Sequence, residues 1–415
     1  MKNFTSKPLF LGLTHIGQVF SIGWSEKFGK CSVYDLNDNR LNNYKKSLFT
    51  DEEPNLYQLY KSNKKKITIC DSSDQIKSYK NIFLTIDTPL HENGKPDYDY
   101  IKKYISKSLK YISKNSNLII TSQVYCGFCD ELKKTVLKLR KDIQIIYMAE
   151  TLIMGNALDR FINPERLIFG SDKKIDFFKN LKKFNCPIFI LNYKQAEMIK
   201  MAINLFLLTS VSYANLLDFY CREFGFKFSS INEPIRLDKR IGNFSYISPS
   251  LGVSGGHLER DLFSIIKNTK NKIVKSSFVN FKQLSSNRLS LLKNLYQTLN
   301  KEKKFNKIVW VGPSYKQDSF SILNSPFYHF KKYLKKKRKK LFAYDSLFNL
   351  QSLKLDNIII ELNQRNINNS LIIVNYANHK DLKRIVNLSR NNKIIDIGIK
   401  NNINKKKKNI FSLLN

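Results

Sequence analysis

The stretch PLFLGLTHIGQVFSIGWSEKFGKCSVYD, Pro8 to Asp35, decides the fold. Its opening apolar run has the length of a strand and ends in a glycine turn. From His15 onward Ile16, Val19, Phe20 and Trp24 recur at helical spacing, and CSVY reads as a second strand. Strand, glycine turn, helix and strand make the first unit of a dinucleotide-binding sheet. Gly12 and Gly17 stand five apart, the outer pair of a G-x-G-x-x-G fingerprint whose middle place holds Thr14. The first glycine allows the tight turn and the last lets helix close on strand. The small Thr14, with Ile16 beside it, opens the backbone to a pyrophosphate. Asp35, eighteen residues past Gly17, ends the second strand. A carboxylate there hydrogen-bonds a ribose 2′-hydroxyl and repels a 2′-phosphate, so the pattern predicts NAD rather than NADP.

Further strand-like runs, KITIC, NIFLTID, NLIITSQV, IQIIYMAE and RLIFG, alternate with helical stretches at 98–113 and 127–141. That rhythm predicts a parallel, doubly wound sheet. Ligands lie beyond the carboxyl ends of such strands, which singles out Thr88 and Pro89, Ser122 and Gln123, and Glu150. Residues 195–225 form a long apolar helical pattern closed by Gly225, expected to be covered by another domain or a second copy. A polar linker is expected over 283–306. KIVWVGPSYK, LFAYD, SLIIVNYANH and KIIDIG then predict a second sheet, with KKKK at 405–408 a solvated tail. The reading is an α/β chain of two Rossmann-like doubly wound parallel-sheet domains joined by a long central helix. Its segments are 1–194, 195–298 and 299–415.

Composition narrows the function classes. The formal charge is +37 over 415 residues, yet the lysines are spread along the whole chain rather than gathered in a stripe. With no recognised reading module, no nucleic-acid partner is expected. Six scattered cysteines, only Cys126 and Cys129 close together, give no zinc ligand set, and no metal is expected. The longest apolar segment carries Asn204, Ser210, Ser212, Asn215 and Asp218, so a buried helix is expected rather than membrane insertion. A cytoplasmic location is expected, from scattered cysteines that suit a reducing compartment and an N-terminus without a signal-peptide pattern.

A second glycine cluster stands out in YISPSLGVSGGHLERD, Tyr246 to Asp261, where three of the chain's fifteen glycines fall within five positions. The order of these landmarks resembles the UDP-glucose/GDP-mannose dehydrogenase family from Phe10 to about residue 398. EEPNL is similar to its Glu-Pro-Gly-Leu turn, TIDTP to its Pro-Thr-Pro segment, and TSQVYCGF to its cofactor loop. AETLIMG is similar to its Glu-Phe-Leu segment, with Met154 replacing a second acid. AEMIKMAIN carries Lys200 and Asn204 as in its central helix. The resemblance implies NAD-dependent oxidation of a nucleotide sugar, a homodimer, and a role in polysaccharide precursor synthesis.

By that resemblance the loop with Tyr246, Gly252, Gly255 and Gly256 cradles the hexose, and Arg240 is lent across the dimer interface. Tyr315 and Lys316, with Asp318, stand in the nucleotide-sugar segment of the last domain, whose following Asp and Arg are here Ser321 and Leu323. Lys200 would stabilise negative charge on the oxidised carbon's oxygen. Asn204 and Asp261 would position a water, and Glu150 would act as base for hydrolysis. The family's nucleophilic cysteine is replaced by His257 and its lysine by Arg260. A thioester route needs a thiolate, so partial or altered oxidation is expected, with His257 in proton transfer. The alternative is an inactive homologue that binds NAD and nucleotide sugar.

Overall fold

The computed structural model describes residues 7–414 apart from 51–52, 92–94, 136, 139, 174–180, 316, 318–320, 323, 348–349, 354, 399–400, 402 and 404–406. Contacts divide the chain into two compact units, Met1–Ile203 and Asn204–Asn415.

The first unit carries strands β1 (Leu9–Leu11), β2 (Cys31–Tyr34), β3 (Ile67–Ile69), β4 (Asn81–Leu84), β5 (Asn117–Ile120), β6 (Gln144–Met148), β7 (Leu167–Gly170) and β8 (Ile188–Leu191). Between them run α1 (His15–Lys27), α2 (Asp38–Lys45), α3 (Leu56–Asn63), α4 (Tyr98–Ser108), α5 (Phe128–Thr135) and α6 (Ala157–Ile162). The order is β3-β2-β1-β4-β5-β6-β7-β8, so the winding reverses between β1 and β4, where a crevice opens in such sheets. β1, β2 and β4 are buried on both faces, as parallel strands between helical layers must be.

One part of this sheet departs from the expected parallel run. β7 pairs antiparallel with β6, and β8, which the sequence pattern did not suggest, pairs parallel with β7. The cause is the connection. α6 has six residues and spans roughly 9 Å, too short to carry the chain back along the sheet. The chain therefore re-enters from the end at which β6 left.

The division between units falls inside α7 (Tyr193–Glu223). The second unit continues with α8 (Asn232–Leu237), α9 (Gly256–Asn268) and α10 (Lys272–Glu302), then β9 (Lys307–Val311), α11 (Pro326–Lys336), β10 (Phe342–Tyr344), β11 (Ser370–Val374), α12 (His379–Leu388), β12 (Lys393–Asp396) and β13 (Ile410–Ser412). Its sheet is parallel throughout, in the order β10-β9-β11-β12-β13.

Three expectations for this unit change. Most of 283–306 is not a linker but the second half of α10, which buries Leu289, Leu292, Tyr296 and Leu299 at three- and four-residue spacing. After the lysine tail the chain returns to the sheet as β13, and Arg222 and Lys227 donate to the carbonyls of Leu413 and Ser412, both at 2.6 Å. α7 is less buried than expected. By length and composition it could cross a membrane, and 39% of its most apolar window is covered. Phe206, Tyr213, Leu216, Tyr220 and Phe224 stand half or more exposed along one seam.

Candidate active site

The glycine turn is built by close approach. Gly12 has φ +107°, and a Cβ there would lie 2.4 Å from Ile86 Cγ1; a Cβ on Gly17 would lie 1.9 Å from the Gly12 carbonyl. Thr14 is the N-cap residue of α1. Its hydroxyl donates to Thr85 O at 3.2 Å and accepts from Asp87 N at 2.9 Å. Thr88 Oγ1 donates to Gln123 O and Ser122 Oγ to Ile86 O, both at 2.6 Å, which stitches together the loops beyond β4 and β5. Pro89 lies half-buried in the same loop. The two glycines let the turn and α1 close on β1 and β4, which leaves the amino-terminal end of α1 at the head of the crevice, where a dinucleotide phosphate fits.

Asp35 ends β2 as expected, but it is fully buried and already well supplied with donors. Its carboxylate accepts from Leu13 N and Asn37 N at 2.7 Å, Tyr104 Oη at 3.0 Å, and both arms of the Arg40 guanidinium at 2.7 and 3.0 Å. Burial, and then the neighbouring Asp35 charge, pushes the Tyr104 phenol well above its ordinary range. The partly exposed Arg40 forms the outer lip of this corner. Asp87 opens the DTP stretch that the strand-end rule singles out, and its Oδ2 accepts Ile16 N at 3.3 Å, so a carboxylate shares an amide of the phosphate cradle. A basic residue one turn into α2, and an acid directly after β4, were the available signals.

On the same unit Lys200 Nζ lies 3.5 Å from Glu150 Oε2, with side chains 9% and 8% exposed. The Glu150 carboxylate also accepts the Leu152 amide. One turn earlier on α7, buried Glu197 accepts Gly127 N and Cys129 N at 2.5 and 2.8 Å, docking the start of α5 onto α7. Burial raises the Glu197 carboxyl and both thiols of Cys126 and Cys129, so this pair packs rather than offering a thiolate.

The second unit holds the other group of candidates. Asn204 Nδ2 donates to Asp261 Oδ2 at 2.7 Å, both residues buried. The glycine loop is clamped from two helices. Asn215 on α7 accepts Ser250 N at 2.7 Å; on α10, Ser285 Oγ accepts Val253 N at 2.8 Å and Arg288 Nε donates to Ser250 O at 2.9 Å. Gly252, at φ +116°, passes so close to α10 that a Cβ would lie 2.7 Å from Ser285 O. Gly255, at φ +85°, lies under the Tyr315 ring, 3.1 Å from where its Cβ would be. Tyr315 and the glycine loop are thus brought together.

Gly256 opens α9, and His257, exposed, accepts at Nδ1 a hydrogen from Arg260 Nη2 at 2.9 Å. Beside them Glu259, largely buried, takes the Asn324 amide, and burial lifts its carboxyl to about 7. Tyr246 is exposed. Arg240 is also exposed and, among the described residues, pairs with Asp238 two residues away, at 2.6 Å. Lys316 and Asp318 lie outside the described residues.

Two Rossmann-type sheets, a glycine turn for a dinucleotide and a buried lysine–carboxylate pair define a nicotinamide-dependent dehydrogenase. Residues 7–183 match the NAD binding domain of the UDP-glucose/GDP-mannose dehydrogenase family and residues 194–287 its central domain. The chain is 24% identical over 333 residues to the UDP-glucose 6-dehydrogenase of Rickettsia prowazekii, covering 76% of this chain and 75% of that one. Its fold superposes on a UDP-glucose dehydrogenase from Pyrobaculum islandicum with TM-score 0.83 at 17% identity, covering 100% and 98% of the two chains. The UDP-N-acetyl-mannosamine dehydrogenase Cap5O of Staphylococcus aureus gives 0.79 at 18%, covering 99% and 98%. The chain belongs to the UDP-glucose/GDP-mannose dehydrogenase family, and its cofactor is NAD.

Proposed function

We propose that the chain oxidises the hydroxymethyl carbon of a UDP- or GDP-hexose with NAD, in the cytoplasm, and supplies a precursor for polysaccharide synthesis. The observation that carries this reading is the buried Lys200–Glu150 pair, held on the unit with the dinucleotide cradle. NAD, when bound, accepts the hydride from the alcohol carbon. Gly12, Thr14, Ile16 and Gly17 hold its diphosphate; Arg40, braced by the buried Asp35, borders the adenosine ribose; Thr88, Pro89, Ser122 and Gln123 line its crevice. Lys200 stabilises the alkoxide and Glu150 receives the hydroxyl proton. Asn204 and Asp261 position a water.

The loop of Tyr246, Gly252, Gly255 and Gly256 takes the hexose, with Tyr315 and Lys316 toward the nucleotide. A second copy covers the apolar seam of α7 and receives Arg240. One observation favours a second reading, a binding protein without turnover: His257 stands where a thiol nucleophile is expected, and imidazole cannot carry a thioester.

NADH release per sugar, with UDP-glucose, UDP-N-acetylmannosamine and GDP-mannose, separates the two. Release with at least one sugar, lowered at least about 100-fold in kcat by Lys200→Ala, supports the dehydrogenase. Two NADH per sugar mean oxidation to the acid and one means an aldehyde product. No release from any of the three leaves the binding reading. His257→Cys is expected to restore thiol-dependent acid formation.

A further inference from the structure

We infer that the amino-terminal edge of the second sheet is a docking surface for an anionic lipid bilayer, held by charge alone and without insertion. The inference concerns the second unit by itself and does not depend on the dehydrogenase reading.

β10, β9, β11, β12 and β13 run parallel, so the segments that lead into them emerge on one edge. Those segments are stitched to one another. Asn306 N donates to Asn369 O at 2.9 Å and Lys307 Nζ to Asn366 O at 2.8 Å. Asn409 Nδ2 donates to Ser389 O at 2.9 Å and Lys407 Nζ to Val386 O at 3.1 Å. The residues they gather are basic. Segments 301–307, 335–340, 361–369, 389–393 and 407–409 carry fifteen Lys and Arg against two acids, Glu302 and Glu361. Thirteen of the fifteen are exposed; Lys307 and Lys393 are half-buried. Asp356, just before the residues that bridge to β10, is taken by Lys331 at 3.1 Å. Among the described residues none of the fifteen bases has a carboxylate within 4.0 Å.

Composition alone does not produce this edge. At the chain's ratio of 71 basic to 34 acidic residues, fifteen bases would come with about seven acids. The opposite edge of the same sheet has no such excess. Its described stretches 312–315, 345–347, 375–378 and 396–398 carry Asp345 and Asp396 and neither Lys nor Arg. Five strands spaced roughly 4.8 Å apart spread the basic loops over about 19 Å. Bases closer together than a Debye length of about 8 Å add their fields.

The make-up of the patch selects its partner. Twelve of the fifteen bases are lysines, compact charges that suit a diffuse layer of lipid phosphates; the three arginines, Arg338, Arg365 and Arg390, are scattered. These segments expose no aromatic ring on which a base could stack, which disfavours a nucleic acid. They expose no large apolar side chain that could sink below the headgroups, so the contact is electrostatic and reversible. Docking by this edge leaves the carboxyl edge, where Tyr315 lies over Gly255, facing away from the bilayer.

Co-sedimentation of the full-length protein with vesicles tests the surface. Phosphatidylcholine vesicles containing about 30% phosphatidylglycerol are compared with phosphatidylcholine alone, at about 0.1 and 0.5 M salt. Wild type is expected to pellet with the anionic vesicles at low salt, to leave them at high salt and to ignore the neutral ones. Two variants then remove equal charge from exposed positions. One carries Lys304→Gln, Lys336→Gln, Lys339→Gln and Lys340→Gln at the edge. The other carries Lys267→Gln, Lys270→Gln, Lys272→Gln and Lys275→Gln around the turn between α9 and α10, about 40 Å from Lys301 along α10. At about fivefold per charge beside the bilayer, the edge variant should lose at least about 100-fold in partitioning and the other less than about fivefold. A wild type that does not pellet with anionic vesicles overturns the surface, whether or not the variants fold. Equal losses in two variants that keep the wild-type melting transition also overturn it, because net charge would then explain the binding. So does tighter binding to a single-stranded RNA oligonucleotide than to the vesicles at equal phosphate concentration, since the edge would then serve a nucleic acid.

Discussion

Arg288 offers the sharpest test of how the sugar loop is held. Its side chain is fully buried, with Nη2 2.8 Å from Asp218 Oδ2, Nε 2.9 Å from Ser250 O and its guanidinium over the Phe219 ring at 4.7 Å. Arg288→Met keeps the volume and deletes the fork. Removing one member of a buried pair costs about 3–5 kcal/mol, since the remaining charge is left uncompensated. Asp218 would retain Arg222 Nε at 2.9 Å and Phe228 N at 3.1 Å, which places the loss at about 3 kcal/mol, the lower end of that range. Stranding Ser250 O adds about 1 kcal/mol. At 2–4 °C per kcal/mol for a unit of this size, the melting transition should fall by about 8–16 °C. Scanning calorimetry reads the shift, and hydrogen exchange at Ser250 N and Val253 N should accelerate with it. A transition within about 2 °C of wild type, with loop exchange unchanged, would mean that the loop is not anchored through this arginine.

Glu259 should impose a pH dependence of the opposite sign to that of a salt-bridged acid. Burial raises its carboxyl from 4.5 to about 7 in the folded chain, so the folded state binds the proton more tightly than the unfolded one. Its contribution is present below pH 4.5 and is lost as pH rises to about 7, by at most about 3 kcal/mol. Glu259→Gln should flatten that part of the profile in denaturant titrations, and an unchanged slope would contradict the assignment. Asp87 shares Ile16 N with the incoming diphosphate, so Asp87→Asn should tighten NAD by about two- to fivefold, the worth of one charge contact near the surface; weaker binding would refute the competition. Leu216→Asp on the α7 seam should convert a dimer to a monomer in sedimentation, and an unaltered mass would remove that seam from the interface.

What the sequence revealed follows from which forces are local. Gly12 and Gly17 are legible because the steric reason for each lies within one turn or one neighbouring strand, and Asp35 because a strand end fixes its place. Asp87 acquires its meaning from Ile16, a residue 71 positions away, and no spacing rule reaches that far; Arg40 pairs with Asp35 five residues earlier, across the turn between β2 and α2, where the helical period does not apply. The direction of β7 depends on the length of α6, which composition does not report. α10 was a different failure. Leu289, Leu292, Tyr296 and Leu299 carry a plain helical period, but the lysines, serines and asparagines between them read as a linker when composition is weighed above periodicity.

Shape and chemistry are separable in the glycine loop. Its path is dictated from outside, by Asn215, Ser285, Arg288 and the Tyr315 ring, none of which belongs to the segment that carries the reactive groups. His257 is exposed at the end of that path, yet its Nδ1 takes a hydrogen from the buried Arg260 guanidinium, so replacing it costs at least the roughly 1 kcal/mol of a hydrogen bond to a buried group. Arg260 is buried and holds the imidazole, so its identity cannot change so freely. His257→Cys, which leaves the path intact, isolates the nucleophile from the pocket: acid formation that becomes sensitive to thiol alkylation would assign the difference to this one side chain.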